Sequence, residues 1–215
     1  MNILHISPYV PSVHASHAGG VCMGKELEAL RKKHNVFVLS FINDEKEEKL
    51  VEKEFKNDNK SFFVYSNTYT KGLNALAHLN KPVFFGIRSS RKFKRLLLNI
   101  VRENSIDVIH AEYTAMGQFV WIKKYFPNIK FNLVEHDVTK QSYDRYCMSS
   151  SGIKHVYQKW QSTLVNKNEE DYLKKCDQVF TLNYKDKDLL SKYYGIQNVE
   201  VITPYYGIEF DAAQN

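Results

Sequence analysis

Three places in the sequence combine residue types that can bind a charged ligand or move a proton. Gly19 and Gly20 precede a helical pattern, Glu112 follows one apolar run, and His136 and Asp137 follow another. Glycines at the start of a helix let the backbone approach a phosphate, and the unpaired N–H groups there favour an anion. A histidine at a strand end can donate a proton to a bound polar group or accept one from it.

Each of these patterns also has a purely structural interpretation. The glycine pair is equally typical of a turn that opens a helix, because the sequence contains neither GxGxxG nor GxxxxGK[ST]. A histidine in the position of His136 could simply cap the strand with a backbone hydrogen bond. His14 and His17 have the spacing of a metal-binding pair, but no third ligand accompanies them, so no metal site is expected.

The surrounding residues predict the elements that hold these side chains. Apolar runs rich in β-branched and aromatic residues predict strands at 2–7, 35–42, 61–66, 106–111, 130–136, 178–182 and 199–203. Helical spacing predicts helices at 21–33, 90–101, 114–125, 153–175 and 185–194, with a charged helix or linker at 46–56. Strands that alternate with helices require parallel crossovers. We therefore expect an α/β fold, a Rossmann-like, doubly wound and mostly parallel sheet with ligands at the carboxyl ends of its strands.

The charge is distributed unevenly along the chain. Lys and Arg outnumber Asp and Glu by 30 to 24, yet residues 59–102 contain no acidic residue at all. Five cations cluster beside the apolar residues Phe93, Leu97 and Ile100, and they are Arg88, Arg91, Lys92, Lys94 and Arg95. This cluster predicts attraction to an anionic membrane surface, and nucleic acid is not expected because no nucleic-acid motif is present. The alternative is a helix whose apolar side packs on the sheet while its charges are solvated.

Composition excludes several classes of protein. An apolar fraction of 43% and a charged fraction of 25% are typical of globular domains, which argues against a disordered or fibrous protein. No apolar run reaches the roughly 18 residues of a spanning helix. The three cysteines are widely spaced and the first residues resemble a strand, so a cytoplasmic location is expected, with peripheral attachment to the inner face of the membrane as a further possibility.

Three segments, in order, resemble the glycosyltransferases of family 4, which have the GT-B fold. The first is NILHISPYVPSVHASHAGGV, the second is IDVIHAEYTAMG with LVEHDV, and the third is EEDYLKKCDQVFTLNYKDKDLL with VEVITPYYGIEF. The sequence departs from the family pattern at Asn183, where the family has a serine, and at residues 204–207, which read PYYG instead of Pro-Asn-Gly.

The resemblance implies that residues 1–203 form the N-terminal, acceptor-side domain of a GT-B enzyme. Residues 204–215 would then begin the interdomain linker, and the C-terminal, donor-binding domain would be absent from this chain, since no two glutamates have the Glu-x7-Glu spacing. The implied reaction is a retaining, metal-independent transfer of a sugar from a nucleoside-diphosphate donor to an acceptor hydroxyl, in the synthesis of a cell-surface polysaccharide or glycolipid. We expect no activity from this chain alone.

By the same resemblance, His136 is the expected catalytic residue, in contact with the donor sugar or its phosphate. Gly19 and Gly20 are expected to bind the donor phosphate, and Glu112 and Asp137 the acceptor. No cofactor is expected besides the nucleoside-diphosphate sugar, which is a substrate. The implied partners are the nucleotide-sugar donor, a sugar or lipid-linked acceptor, an anionic membrane surface and the C-terminal domain of the same enzyme.

Two other function classes besides the glycosyltransferase use a Rossmann-like fold. A non-catalytic Rossmann-like module that holds a nucleotide or an anion remains open. A classical Rossmann oxidoreductase is disfavoured, because GxGxxG is missing and Ser40, Phe41 and Ile42 stand at the strand end where such enzymes carry an acidic residue. A Glu-x7-Glu motif further along the reading frame would favour the transferase over the binding module.

Overall fold

Seven strands form one parallel sheet in the computed structural model, which describes residues 1–202. The strands are β1 (Asn2–Ser7), β2 (Asn35–Ile42), β3 (Ser61–Tyr65), β4 (Val108–Glu112), β5 (Lys130–Glu135), β6 (Gln178–Thr181) and β7 (Val199–Val201). Their order is β3-β2-β1-β4-β5-β6-β7, and every neighbouring pair is parallel. The predicted α/β, Rossmann-like, doubly wound sheet is thus confirmed. The chain reverses its direction of progress between β1 and β4, which places the expected ligand crevice at their carboxyl ends.

Eight α-helices and one 3-10 segment connect these strands within residues 1–202. They are α1 (Ala18–Arg31), α2 (Glu45–Glu54), α3 (Thr68–Ala77), α4 (Val83–Gly86), α5 (Arg91–Glu103), the 3-10 segment Thr114–Lys124, α6 (Thr139–Met148), α7 (Gly152–Lys175) and α8 (Tyr184–Tyr194). Sequence periodicity did not predict α3, α4 or α6. The helix α4 has only 4 residues, and neither α3 nor α6 buries a residue against the core.

Apolar side chains cover both faces of the sheet. One face packs against α1 and α2 through residues such as Leu27 and Val38, and the other packs against α5, α7, α8 and the 3-10 segment. Phe93 of α5 stacks between Phe41 and Phe119, at ring-centroid distances of 4.5 and 4.7 Å. The apolar side of α5 is therefore part of the core, as the structural alternative for this helix predicts.

The loop after β1 is fixed by hydrogen bonds from two strand ends. The hydroxyl groups of Ser7 and Ser40 both donate to the carbonyl of Tyr9, at 2.8 and 2.7 Å, and Asn43 Nδ2 donates to the carbonyl of Pro8. The loop thus presents the Tyr9 side chain at the carboxyl edge of the sheet.

The predicted linker at 204–215 lies outside the described residues. Within those residues, no helix combines the length and the apolarity needed to cross a membrane.

Candidate active site

Glu112, the last residue of β4, is completely buried and lies among three histidines. Its Oε2 accepts a hydrogen bond from His136 Nε2 at 2.6 Å, and its Oε1 lies 3.3 Å from both His5 Nε2 and His110 Nε2. Burial alone would raise the pKa of Glu112, but its contacts with the three imidazoles outweigh burial and hold the pKa well below its usual range. Glu112 is therefore an ionised carboxylate inside the protein.

His110 carries the positive charge that balances this carboxylate. Its Nε2 lies 2.8 Å from Glu26 Oε1 of α1, in addition to its contact with Glu112. Burial opposes protonation, but the two carboxylates together raise the pKa of His110 to about 10. Ligand atoms of Glu26, His110 and Glu112 lie within 4.8 Å of one another and have the chemistry of metal ligands. With His110 protonated, these three side chains form an ion network.

His136 follows β5 and faces the same carboxylate from the next strand. Its ring stacks on Tyr113 with centroids 3.9 Å apart and an angle of 7° between the planes. Tyr113 has φ +69°, a region that non-glycine residues rarely occupy, so the backbone is strained in order to hold this ring. Because Nε2 of His136 bonds to an ionised carboxylate, the proton resides on Nε2, and Nδ1 is left without a hydrogen bond to the described residues.

The glycine pair lies at the first turn of α1, next to Tyr113. A Cβ atom on Gly19 would lie only 1.9 Å from the Tyr113 hydroxyl, so glycine is needed there for close approach. The N–H of Gly20 donates to Nδ1 of His17, which caps the helix at 3.0 Å. Gly20 therefore has no free N–H for a phosphate, which corrects its predicted role, and His17 is a capping residue.

A second buried carboxyl group lies at the end of the neighbouring strand. Glu135 ends β5, and its Oε2 accepts from the Thr114 hydroxyl while its Oε1 has no partner among the described residues. Burial and the nearby charge of Glu169 raise the pKa of Glu135 well above its usual range. Glu169 itself accepts from the Tyr194 hydroxyl and from two N–H groups at the start of α6. Of the two carboxyl groups, Glu135 is therefore the one that holds a proton.

Two predicted site residues do not lie where their roles require. Glu112 has no exposed surface, so it cannot contact an acceptor and instead holds His136. Arg88 retains only 5% of its surface and does not belong to an exposed basic patch with α5. Its guanidinium donates to the Phe84 carbonyl and the Tyr9 hydroxyl, because Arg88 lies in the turn before α5 and faces inward. Burial lowers the pKa of Arg88.

Among the remaining predicted residues, Gly19 is partly exposed and the His136 side chain retains 7% of its surface. Asp137 is exposed beside His136, and partial burial and the charge of Asp186 raise its pKa. Gly19, His136 and Asp137 thus meet at one edge, as their positions in the sequence predict. Sequence reasoning did not single out Tyr113 and Tyr9, although each lies two residues after the end of a predicted strand, in a loop where ligands were expected. Their rings contact each other at a centroid distance of 5.7 Å.

Comparison with known proteins assigns the chain to a family. The family model described as Glycosyltransferase Family 4 matches residues 23–209. No curated protein matches the chain. One similar solved structure is sucrose-phosphate synthase from Thermosynechococcus elongatus, with a TM-score of 0.60 and 12% identity over 94% of this chain and 48% of the other. Another is UGT2 of Phytolacca americana complexed with UDP-2-fluoro-glucose and pterostilbene, with a TM-score of 0.58 and 9% identity over 95% of this chain and 54% of the other. A third is the trehalose-6-phosphate phosphatase N-terminal domain of Candida albicans, with a TM-score of 0.52 and 13% identity over 94% of this chain and 48% of the other. The chain spans about half the length of these proteins, and at such low identity the likeness shows the fold alone.

Proposed function

The chain belongs to glycosyltransferase family 4, and from this membership we propose that it forms the acceptor-side domain of a retaining glycosyltransferase. The proposed enzyme transfers a sugar from a nucleoside-diphosphate donor to an acceptor hydroxyl without a metal ion, in the synthesis of a cell-surface polysaccharide or glycolipid. The observation that carries the proposal is the hydrogen bond of 2.6 Å between His136 and the buried, ionised Glu112. The Phytolacca americana structure, which is complexed with a UDP sugar, supports a nucleotide-sugar donor.

The bond to Glu112 gives His136 a defined role in this reaction. With its proton on Nε2, the imidazole presents the Nδ1 lone pair, which can accept a hydrogen bond from a sugar hydroxyl. The stacked Tyr113 ring limits rotation of the imidazole, so the accepting atom keeps its direction before the substrate arrives. Preorganised polar groups of this kind stabilise a transition state because they need no reorganisation during the reaction.

The first turn of α1 is the proposed contact for the departing diphosphate. Gly19 leaves room for close approach beside Tyr113, and the positive end of the helix dipole favours the negative charge that develops on the leaving group. This contribution is modest, so we propose that basic groups of a C-terminal domain of the same enzyme supply the rest. A cleft with one wall cannot orient its donor, and this chain alone should therefore be inactive.

We also propose that the enzyme binds the cytoplasmic membrane face through α3 together with α5, in place of α5 alone. The side chains of Tyr69, Leu73, Leu76 and Leu79 are 49–73% exposed. Leu73 lines a cavity of about 510 Å³ whose opposite wall contains Arg91, Lys92 and Lys94, so apolar and basic groups share one surface. Apolar side chains beside cations match the chemistry of an anionic lipid surface.

Charge reversal tests the membrane proposal. The double variant Arg91→Glu with Arg95→Glu should weaken binding to anionic vesicles at low salt more than about tenfold, since each basic residue contributes roughly 1 kcal/mol. Reversal of Lys32 and Lys33, which are exposed at the opposite edge of the sheet, is the matched control and should change little. Co-sedimentation measures both, and equal binding by the two double variants would refute the membrane surface.

The transfer itself is tested by product analysis. The protein that carries this chain is incubated with UDP and GDP sugars and a panel of hydroxyl acceptors, and the anomeric configuration of the product is read by NMR. Retention of the donor configuration supports the proposal. Tight binding of nucleotide sugars without any transfer would instead support a non-catalytic nucleotide-binding module.

A further inference from the structure

Arg88 is a buried cation without an anionic partner in the part of the chain that the structure describes. No carboxylate there forms an ion pair with its guanidinium, which donates to the Phe84 carbonyl at 3.3 Å and to the Tyr9 hydroxyl at 3.1 Å. The Nε atom is buried and has no hydrogen-bond partner. Burying an unpaired charge is expensive, and an unsatisfied buried N–H adds to that cost. The fold maintains this arginine at a cost to its stability.

The immediate surroundings stabilise the cation without neutralising it. The rings of Tyr9 and Phe84 lie 5.3 and 4.7 Å from the guanidinium carbon and make cation–π contacts. The carboxylate of Glu47 acts on Arg88 from beyond ion-pair distance, and it already accepts from the N–H groups of Val10 and Asn43. The charge of Arg88 is therefore available to a ligand.

The position of Arg88 is rigid on both sides. Ser89, the next residue, donates to Gln118 Oε1 at 2.6 Å, and Val83 at the start of α4 donates to Gln161 Oε1 at 2.9 Å. On the other side, the Tyr9 carbonyl is held by two serine hydroxyls of the strand ends. A donor pair held in this way is preorganised for an oxyanion.

A series of ring contacts connects Arg88 with the proposed reaction centre. Tyr113 stacks on His136, Tyr9 contacts the edge of Tyr113 at 5.7 Å, and Arg88 lies over Tyr9. These residues follow β5, β4 and β1 in turn, so the series runs along the carboxyl edge of the sheet. Burial and the charge of Arg88 lower the pKa of Lys71 of α3, while the carboxylates of Glu47 and Asp44 act in the opposite sense.

We propose that Arg88 and Tyr9 bind an anionic group of the acceptor, a phosphate or a carboxylate, on the β1 side of His136. The inference rests on the proposed transferase function and specifies its acceptor class, an anionic sugar or a phosphate-bearing acceptor. Tyr9 is partly exposed and Arg88 retains 5% of its surface, so the anion would meet the Tyr9 hydroxyl first and reach Arg88 Nε through a shift of the Tyr9 ring. The group would accept hydrogen bonds from Arg88 Nε and the Tyr9 hydroxyl, which satisfies the orphaned donor and neutralises the buried charge.

Thermal-shift titration of the full chain tests the proposal with inorganic phosphate, glucuronate and UDP, at constant ionic strength and with glucose as the uncharged control. Phosphate or glucuronate should raise the melting temperature, and Arg88→Met should weaken that binding about tenfold or more. Arg102→Met, which removes an exposed cation in the last turn of α5, is the matched control and should respond like the wild type. If Arg88→Met does not fold, Tyr9→Phe removes only the hydroxyl and should weaken binding about threefold or more.

The other outcomes overturn the proposal in distinct ways. An unchanged response in Arg88→Met or in Tyr9→Phe would show that no anion binds there. A response to UDP alone that depends on Arg88 would assign the site to the donor diphosphate and refute the acceptor assignment. Failure of the transferase proposal is distinguishable, because it would appear as absent sugar transfer while the Arg88-dependent response to phosphate or glucuronate persists.

Discussion

Glu112 and Glu135 end neighbouring strands, and both are fully buried, but their surroundings hold them in opposite protonation states. Glu112 pairs with Val134 in the sheet register, so Glu135, one residue later, points to the opposite face. On the α1 face, Glu112 meets three imidazoles and its pKa falls. On the other face, burial and the nearby carboxylates of Glu169, Asp137 and Asp186 outweigh the hydrogen bond from a threonine hydroxyl, and the pKa of Glu135 rises.

This difference shows that burial does not determine what a carboxyl group does in this fold. Burial acts on both glutamates in the same direction, and only the charges and donors that face them differ. The ionised group can orient a histidine, and the protonated group can only fill space and bond to a hydroxyl. Substitutions at the two positions should therefore have opposite consequences.

The largest effect is expected from Glu112→Gln. The amide removes the carboxylate that faces all three imidazoles and leaves His110 with Glu26 alone, and breaking a buried ion pair from one side costs up to about 3–5 kcal/mol. We expect the free energy of unfolding at pH 7, measured by urea denaturation, to fall by that order. A loss smaller than about 1 kcal/mol would contradict the ion network around Glu112.

His136→Ala should come next, and its effect should be on turnover. Removing a preorganised polar group at a transition state typically costs about a hundredfold or more, while the fold should tolerate the truncation better than the loss of Glu112. The matched control is His14→Ala, which removes an exposed histidine of the loop after β1. Steady-state kinetics of the complete enzyme measures the turnover of both variants. If the turnover of His136→Ala were within about threefold of wild type, His136 would have only a structural role.

Gly19→Ala should have an intermediate effect. The new methyl group would collide with the Tyr113 hydroxyl and push the ring away from His136, at a cost of roughly 1–3 kcal/mol. Gly72→Ala in α3 is the control, because no atom lies within 4 Å of its added Cβ and alanine favours a helix. Denaturation of both variants should show loss of stability for Gly19→Ala and a small gain for Gly72→Ala.

The smallest effect is expected from Glu135→Gln, which should raise the stability at neutral pH, whereas Glu112→Gln should lower it. A folded-state pKa above the unfolded value makes Glu135 lower the stability as the pH rises from about 4.3 towards the folded pKa. Glutamine keeps the shape and removes this titration, so the variant should equal the wild type in stability below pH 4 and be the more stable of the two at pH 8. Urea denaturation across this range measures the difference, and a destabilised variant at pH 8 would mean that Glu135 is ionised.

Much of the fold was predictable from local pattern. The seven strands and most helices were predicted within a few residues, because apolar runs and helical spacing are properties of adjacent residues. The meeting of Gly19, His136 and Asp137 followed as well, since parallel strands bring their carboxyl ends to one edge. The helix α3 was not predicted, although Tyr69, Leu73 and Leu76 recur at helical spacing, and the structure shows that these side chains face away from the core.

The sequence by itself determined the sheet, the edge at which the site lies and the family resemblance, all of which depend on short segments in order. Only the tertiary structure decided that Glu112 is ionised, that Glu135 is protonated and that Arg88 is buried. His5 and Glu112 are 107 residues apart, and Arg88 and Tyr9 are 79 apart. The charge state of a buried group depends on the groups packed around it, and here those groups come from distant parts of the chain.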